Sequence, residues 1–158
     1  MLVENSDEPY AEEIARTVMN WRKRGKAIET TTHFKEVIEE ALNMIPEKAF
    51  AEKNRKEAVK KSCQRSFQAL RIDVNSEFEV LYSFLDKLPE VLAPNGRVAI
   101  LTFHSGEDRL VKRSFKELEK MGIYRDVSKE VIRPSQEECI RNGRAKCTKM
   151  RWAIRAEE

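Results

Sequence analysis

Two adjacent polar side chains, His104 and Ser105, stand where an apolar segment gives way to a charged one, in the order FHSGED. An imidazole can take up or release a proton near neutral pH, and a hydroxyl can donate or accept a hydrogen bond. These residue types suit a site that moves a proton or binds a polar ligand. A single histidine in such a place is more often a hydrogen-bonded structural residue, so both interpretations stay open.

A strand followed by a helix is predicted to position this pair. The turn signal Asn95-Gly96 precedes an apolar run without alternation, Val98–His104, which predicts a strand covered on both faces. Ser105 is then predicted to cap a helix, with Asp108 at the capping-box position. His104 and Ser105 would lie at the carboxyl end of the strand, where open α/β sheets place their ligands.

Further polar side chains lie on or beside the apolar stripe of a long helical pattern. The pattern predicts one helix from Ser62 to Leu88, limited by Pro89. Gln68, Arg71 and Asn75 fall within it. Polar groups next to an apolar stripe need partners when they are buried, so they indicate either a binding role or helix capping.

Basic residues concentrate in two runs, although the formal net charge is only +3. Each run is consistent with an ordinary solvated face or with phosphate contact. The first run contains Lys53, Arg55, Lys56, Lys60, Lys61, Arg65 and Arg71, and the second contains Arg141, Arg144, Lys146, Lys149, Arg151 and Arg155.

Length and composition favour a soluble chain. The 158 residues suffice for one domain or two small ones, and 36% of them are charged. No apolar run reaches membrane-spanning length, and the first ten residues do not resemble a signal peptide. We therefore expect a cytoplasmic protein without membrane contact.

Three cysteines, Cys63, Cys139 and Cys147, share no metal-binding spacing, and the chain has only two histidines. No zinc pattern is formed, and the thiols are predicted to stay reduced.

The N-terminal part is predicted to be helical. One helix runs from Tyr10 to about Lys23 and ends at Gly25, and a second is capped by Thr30 or Thr31. We expect a helical subdomain over residues 1–61 and a second domain over 62–158.

The C-terminal part is predicted to contain two more strands. Residues Ile123–Ile132 form a polar strand near a sheet edge, and a short helix follows the cap residue Ser135. In the strand Lys149–Arg155, the alternation predicts Met150, Trp152 and Ile154 inward, and Arg151 and Arg155 outward. The fold class is therefore α/β.

Three ordered blocks carry a resemblance to a known family. FHSGEDRLVKR resembles the SFHSLEDRIVKR signature of the RsmH/MraW family, and QRSFQALRIDVNSEF (Gln64–Phe78) resembles its TRTFQALRIAVNDEL. The third block, NGRAKCTKMRWAIRAEE, is similar to NPRARSAKLRVAER. Their order and spacing also match, and the resemblance covers nearly the whole chain.

The resemblance implies an rRNA (cytosine-N4) methyltransferase of the small ribosomal subunit that uses S-adenosylmethionine, with a Rossmann-like sheet and an inserted helical domain near RNA. Within it, His104, Ser105 and Asn75 are the candidate catalytic residues. The candidate RNA-binding residues are Arg65, Gln68, Arg71, Arg109, Arg113, Arg144, Lys146 and Arg151.

The blocks of the family's first half are missing from this sequence. The five glycines are scattered singly, so no glycine-rich cofactor loop is formed, and no DLGVSS-type block occurs. Gly106 replaces the leucine of HSLED, and Gly143 the proline of NPRAR. We therefore expect the last strands of the methyltransferase sheet without its cofactor-binding half, and no binding of S-adenosylmethionine by this chain alone.

Three hypotheses follow. The chain is an RNA-contacting C-terminal portion that is inactive alone, one half of a split active methyltransferase, or a non-catalytic protein-interaction module. Because the strand Val98–His104 would keep an open edge, a homodimer is expected to cover it.

Overall fold

The computed structural model describes residues 1–157 and consists of two compact units. The first unit is Met1–Asn75, and the second begins at Ser76, whose φ of 50° lies in the left-handed region. The boundary predicted after residue 61 lies instead within the continuous helix α4 (Arg55–Val74). The single helix predicted from Ser62 to Leu88 is two helices, α4 and α5 (Glu77–Val91), and Pro89 lies inside α5.

The first unit is helical because its apolar residues recur at intervals of three and four. Helices α1 (Leu2–Ser6), α2 (Ala11–Lys23), α3 (Thr31–Asn43) and α4 surround one core. Gly25, with φ of 72°, follows α2, and the Thr30 hydroxyl accepts the His33 N–H at 3.1 Å, so both predicted helix boundaries are confirmed. The core consists of Tyr10, Ile14, Ile38, Ala41, Leu42, Phe50 and Ala58.

Three antiparallel strands form the sheet of the second unit, in the order β1 (Arg97–Thr102), β3 (Lys149–Arg155) and β2 (Tyr124–Val127). The predicted edge position of β2 is confirmed, but this strand is shorter than predicted, and Ile132 adds only an isolated bridge to Met150. Helices α6 (Ser105–Lys120) and α7 (Gln136–Arg141) complete the unit. The α/β class is confirmed.

One face of this sheet is packed and the other is open among the described residues. Val98 and Ile100 of β1 pack toward the core, whereas Leu101 is 58% and Phe103 55% exposed. The prediction that the strand is covered on both faces is therefore wrong within residues 1–157. The core consists of Leu85, Leu88, Val111, Phe115, Tyr124, Val127 and Ala153.

The helices of residues 1–157 include none that is both long and apolar enough to cross a bilayer.

Arg151 points inward, contrary to the predicted alternation of β3. It is 6% exposed, and its Nε and Nη2 donate to the two carboxylate oxygens of Asp108 at 2.7 and 3.1 Å. Its Cα partner across the sheet is Ile100, which also faces the core. An alternating pattern has two possible orientations, and the buried acid on α6 selects the one that buries the arginine.

Replacing Arg151 by alanine should lower the free energy of unfolding by about 3 kcal/mol or more, because the Asp108 carboxylate would remain largely buried without its partner. Urea unfolding followed by circular dichroism measures the loss. Combining Arg151→Met with Asp108→Leu should recover most of it, since no unpaired charge then remains.

Arg113 provides the matched control, since its bond to Glu117 at 2.9 Å joins two exposed side chains. Arg113→Ala should cost less than about 1 kcal/mol. Equal losses for the two alanine variants would contradict a structural role for Arg151.

Candidate functional site

The first turn of α6 presents the candidate catalytic histidine. His104, not Ser105 as predicted, is the N-cap residue, with extended backbone. Its Nδ1 accepts the N–H of Glu107 at 3.4 Å, and Glu107 Oε2 accepts the N–H groups of Phe103 at 2.9 Å and His104 at 3.4 Å. The capping box thus starts one residue earlier than predicted, and the residue at its third helical position is Glu107.

The charge of Glu107 is stabilised by this arrangement. The adjacent His104 side chain is the largest cause of a lowered pKa, which falls from 4.5 to about 2. Backbone N–H groups of Phe103 and His104 act in the same direction, and burial opposes them. Glu107 is therefore an anion that holds the histidine cap in place throughout the neutral range.

The imidazole is enclosed on more than one side. His104 Nε2 lies 3.3 Å from Glu107 Oε1, without the angle of a good hydrogen bond, and this atom is buried. The Phe78 ring lies 6.0 Å from the imidazole, centroid to centroid. A Cβ at Gly106 would lie 2.7 Å from Phe78 Cζ and 3.1 Å from His104 Nδ1. Gly106 therefore leaves the space that the two rings share.

Oxygen and nitrogen atoms of Glu77, His104 and Glu107 lie within 4.8 Å of one another, as metal ligands could. A metal on His104 Nε2 would require the proton on Nδ1, where the Glu107 N–H already donates. The cap and the metal thus need opposite tautomers of His104, so the cap geometry argues against a metal at His104 Nε2. Cys63, Cys139 and Cys147 are not paired with one another in the described part of the chain.

The other two candidate catalytic residues are exposed. Ser105 is the first residue of α6, and its hydroxyl is not the helix cap. Asn75 is the C-cap residue of α4, in the first unit, and its backbone N–H donates to the Arg71 carbonyl. Both side chains can reach a solvent-borne ligand.

Arg65, Gln68 and Arg71 belong to α4 in the first unit. Arg65 Nε donates to Glu8 Oε2 at 2.8 Å, and its Nη1 lies 3.7 Å from Glu52. Since Glu8 is only 2% exposed, Arg65 compensates a buried acid. Gln68 is half-buried and Arg71 is exposed.

The remaining basic candidates belong to the second unit. Arg109 and Arg113 lie exposed on α6, and Arg144 and Lys146 lie exposed on the short 3-10 helix Gly143–Cys147. Arg151 is buried against Asp108, so it is not available to a phosphate in this conformation.

A groove of about 330 Å³ lies beside the exposed end of β1. Its wall combines apolar side chains with two arginines, and the exposed Phe103 ring belongs to it. Such a surface offers stacking and phosphate contact together. The residues that line the groove include Leu101, Phe103, Ile132, Arg133, Arg144 and Met150.

The glycines do not form a cradle for a nucleoside cofactor. Gly96 meets the backbone of Ala93 in its own turn, and Gly106 meets Phe78. A Cβ at any of the other three glycines would meet nothing within 4 Å. The described residues therefore do not fit the glycine-rich site expected for S-adenosylmethionine.

Glu107 and Phe78 were missed by sequence reasoning. Glu107 could have been found from its spacing of three residues after His104, had histidine been considered as a cap. Phe78 carries no local signal, because it meets His104 only through the packing of α5 on α6.

Comparison with known proteins gives one family. A model of the MraW methylase family matches residues 1–156. Ribosomal RNA small subunit methyltransferase H 1 of Lachnoclostridium phytofermentans is 65% identical over 156 residues, which are 99% of this chain and 41% of the relative.

Two further relatives show the same partial coverage. The protein of that name in Agathobacter rectalis is 59% identical over 157 residues, 99% of this chain and 44% of the relative. Ribosomal RNA small subunit methyltransferase H of Pseudothermotoga lettingae is 37% identical over 149 residues, 94% of this chain and 46% of the relative. The chain spans less than half the length of these curated relatives.

Removing the Glu107 carboxylate should destabilise the second unit by about 1–2 kcal/mol, because two backbone N–H groups lose their acceptor. Glu107→Ala should show this loss at pH 7, and Glu107→Gln a smaller one.

The pKa of Glu107 is lowered in the folded chain, so the contribution of its charge to stability is complete above pH 4.5 and is lost as the pH falls toward 2. Urea unfolding between pH 7 and 3 should show a flatter acid limb for Glu107→Gln.

Glu137 is the matched control, since its carboxylate is exposed and pairs with Arg141 within one turn of α7. Glu137→Gln should keep the acid limb of the wild type. An unchanged acid limb in Glu107→Gln would show that the cap is not held by its charge.

Proposed function

Because the chain belongs to the MraW methylase family, we propose that residues 1–158 are the RNA-contacting C-terminal portion of an rRNA cytosine-N4 methyltransferase of the small ribosomal subunit, inactive alone. The relatives are named as ribosomal RNA small subunit methyltransferases, which supports the rRNA substrate class. The groove beside β1 is the structural observation that carries the proposal.

The groove suits an unpaired nucleotide. A base stacked on an aromatic face contributes about 1–3 kcal/mol to single-strand binding, and Phe103 is the exposed aromatic side chain of the wall. Arg133 and Arg144 also line the groove and can pair with phosphate oxygens, although Glu138 lies in the same wall. The groove begins at the carboxyl end of β1, beside the His104 cap.

His104 is proposed to position this end of the strand. Both its nitrogens face Glu107, and because Nδ1 accepts the Glu107 N–H, the proton of the neutral ring is on Nε2. His104 could therefore accept a proton from a substrate amine only by giving up the cap. Ser105 and Asn75, which are exposed, are proposed to contact substrate directly.

The helices of the first unit are proposed to assist RNA recognition, with Gln68 and Arg71 of α4 as contacts. Arg65 is the weakest candidate of this group, because Glu8 and Glu52 already share its charge. In the second unit, Arg109, Arg113, Arg144 and Lys146 are retained, and Arg151 is left out because it is buried.

The methyl donor is proposed to be S-adenosylmethionine, bound by residues outside 1–158, since the described glycines do not fit it. This chain would then contribute RNA contacts and the geometry of the strand end, not the cofactor site.

The open face of β1 favours a second candidate, in which another polypeptide segment completes an active methyltransferase. The outer edge of β1 has no strand partner in residues 1–157, and the exposed Leu101 and Phe103 lie on its open face. Exposed strand edges pair readily with further strands. A second copy of the chain, giving a homodimer, is the alternative cover.

Methyl transfer tests both candidates. The chain is incubated with S-adenosylmethionine carrying a labelled methyl group and with small-subunit rRNA, alone or with the unmatched segment of the Lachnoclostridium phytofermentans relative. The chain alone should transfer no methyl group, and the mixture should yield N4-methylcytidine by mass spectrometry. Leu101→Asp should reduce the yield of the mixture at least tenfold, because it places a charge on the open face.

Val80→Asp is the matched control, since Val80 is 64% exposed in the first turn of α5, and it should leave the yield unchanged. Transfer by the chain alone would overturn its proposed inactivity. A mixture without activity, together with no RNA binding by the chain, would favour the protein-interaction module.

A further inference from the structure

Helix α6 carries a basic stripe of five exposed side chains: Arg109, Lys112, Arg113, Lys116 and Lys120. Spacings of three and four place them along one face of the helix. Lys112, Lys116 and Lys120 have no carboxylate within ion-pair distance in the described part of the chain. Only two of the five, Arg109 and Arg113, were candidates from the sequence.

The stripe arises because the acids of α6 are occupied elsewhere. Glu107 closes the His104 cap, Asp108 pairs with the buried Arg151, and Glu119 pairs with Lys129. Glu117 lies beside the stripe, and Arg113 Nε donates to its carboxylate at 2.9 Å. The helix is almost balanced in sequence, yet the surface it presents is strongly cationic.

The three lysines repel one another along the helix. Like charges four residues apart destabilise a helix, and both steps, from Lys112 to Lys116 and from Lys116 to Lys120, have this spacing. A polyanion lying along the stripe would convert this repulsion into attraction.

The surroundings of the stripe select the kind of polyanion. A membrane-surface helix inserts its apolar face, but Leu110, Val111, Phe115 and Leu118 of α6 pack in the core. A protein interface has an apolar centre, and the stripe consists of charged side chains. A nucleic-acid backbone needs neither.

We propose that the basic stripe of α6 binds the sugar-phosphate backbone of single-stranded RNA. This inference deepens the proposed function and rests on it for the identity of the RNA. The first and last of the lysines are eight positions apart, or about 12 Å along the helix, enough for a few consecutive phosphates. Because lysine is a flexible point charge, the contact adds affinity without base specificity.

Binding of a fluorescein-labelled, mixed-sequence single-stranded RNA to the full chain, measured by anisotropy between 50 and 200 mM salt, tests the stripe. Each phosphate contact to a single strand contributes about 0.7 to the slope of log affinity against log salt, so replacing Lys112, Lys116 and Lys120 by alanine should lower the slope by about 2. Affinity at 50 mM salt should fall about tenfold or more. The matching triple arginine variant should keep the wild-type slope.

A second triple variant, Lys23→Ala, Lys48→Ala and Lys87→Ala, removes the same charge from scattered exposed positions and should keep the slope. Circular dichroism should show no loss of thermal stability in any variant, since each change is on the surface and the alanines at Lys112, Lys116 and Lys120 also remove a repulsion. An unchanged slope in the stripe variant, or an equal fall in the scattered variant, would overturn the inference. The inference would also be overturned if the stripe variant lost binding to anionic phosphatidylserine vesicles but kept its RNA binding.

The outcome is separable from the proposed function. Methyl transfer in the reconstituted mixture with no effect of the lysines on RNA binding would reject the stripe and leave the function standing. A confirmed salt slope with no methyl transfer in any mixture would leave the stripe as an RNA contact and reject the methyltransferase proposal.

Discussion

The pairing of Arg151 with Asp108 is the interaction on which the second unit depends. A guanidinium on the central strand of a three-stranded sheet is buried under a helix, and only a bidentate carboxylate makes that burial tolerable. Asp108 is the fourth residue of α6, so the same bond that neutralises the strand also fixes how the helix begins. His104, the N-cap residue directly before the helix, is positioned by the same contact, because Asp108 lies in the first turn of α6.

The charge pattern of α6 follows from that constraint. Once Asp108 must turn toward β3 and Glu107 must close the cap, the first turn has no acid left for the solvent side. Further along, Glu119 pairs with Lys129, and the lysines of the outer face have no carboxylate partner within residues 1–157. A single helix thus anchors the sheet with its acids and presents cations outward. A count of charges along the sequence cannot reveal this separation, because it depends on where each side chain points.

The sequence predicted the helices and strands well where the signals are local. Gly25, Thr30 and Ser135 mark helix boundaries by their own chemistry, and the apolar run before His104 predicts β1. The prediction was wrong where the local sequence does not determine the structure. The break at Ser76 interrupts an apolar stripe that looks continuous, and Arg151 was placed outward because its buried partner is 43 residues away. For the candidate site, the place of His104 at the end of β1 was predictable, but the contacts with Glu107 and Phe78 that hold its ring were not.

Two departures from the family blocks, at Phe78 and Gly106, lie against each other in the structure. The block TRTFQALRIAVNDEL has leucine where this chain has Phe78, and HSLED has leucine where this chain has Gly106. A side chain at position 106 would occupy the space of the Phe78 ring, since even a Cβ would lie 2.7 Å from Cζ. The larger residue at one position is thus matched by the absence of a side chain at the other, and such volume-conserving exchanges are the best-tolerated changes in packed regions. From the sequence, Gly106 suggests a loosened first turn of α6. In the structure the Phe78 ring occupies the space beside Gly106 and helps to hold His104 at the end of β1.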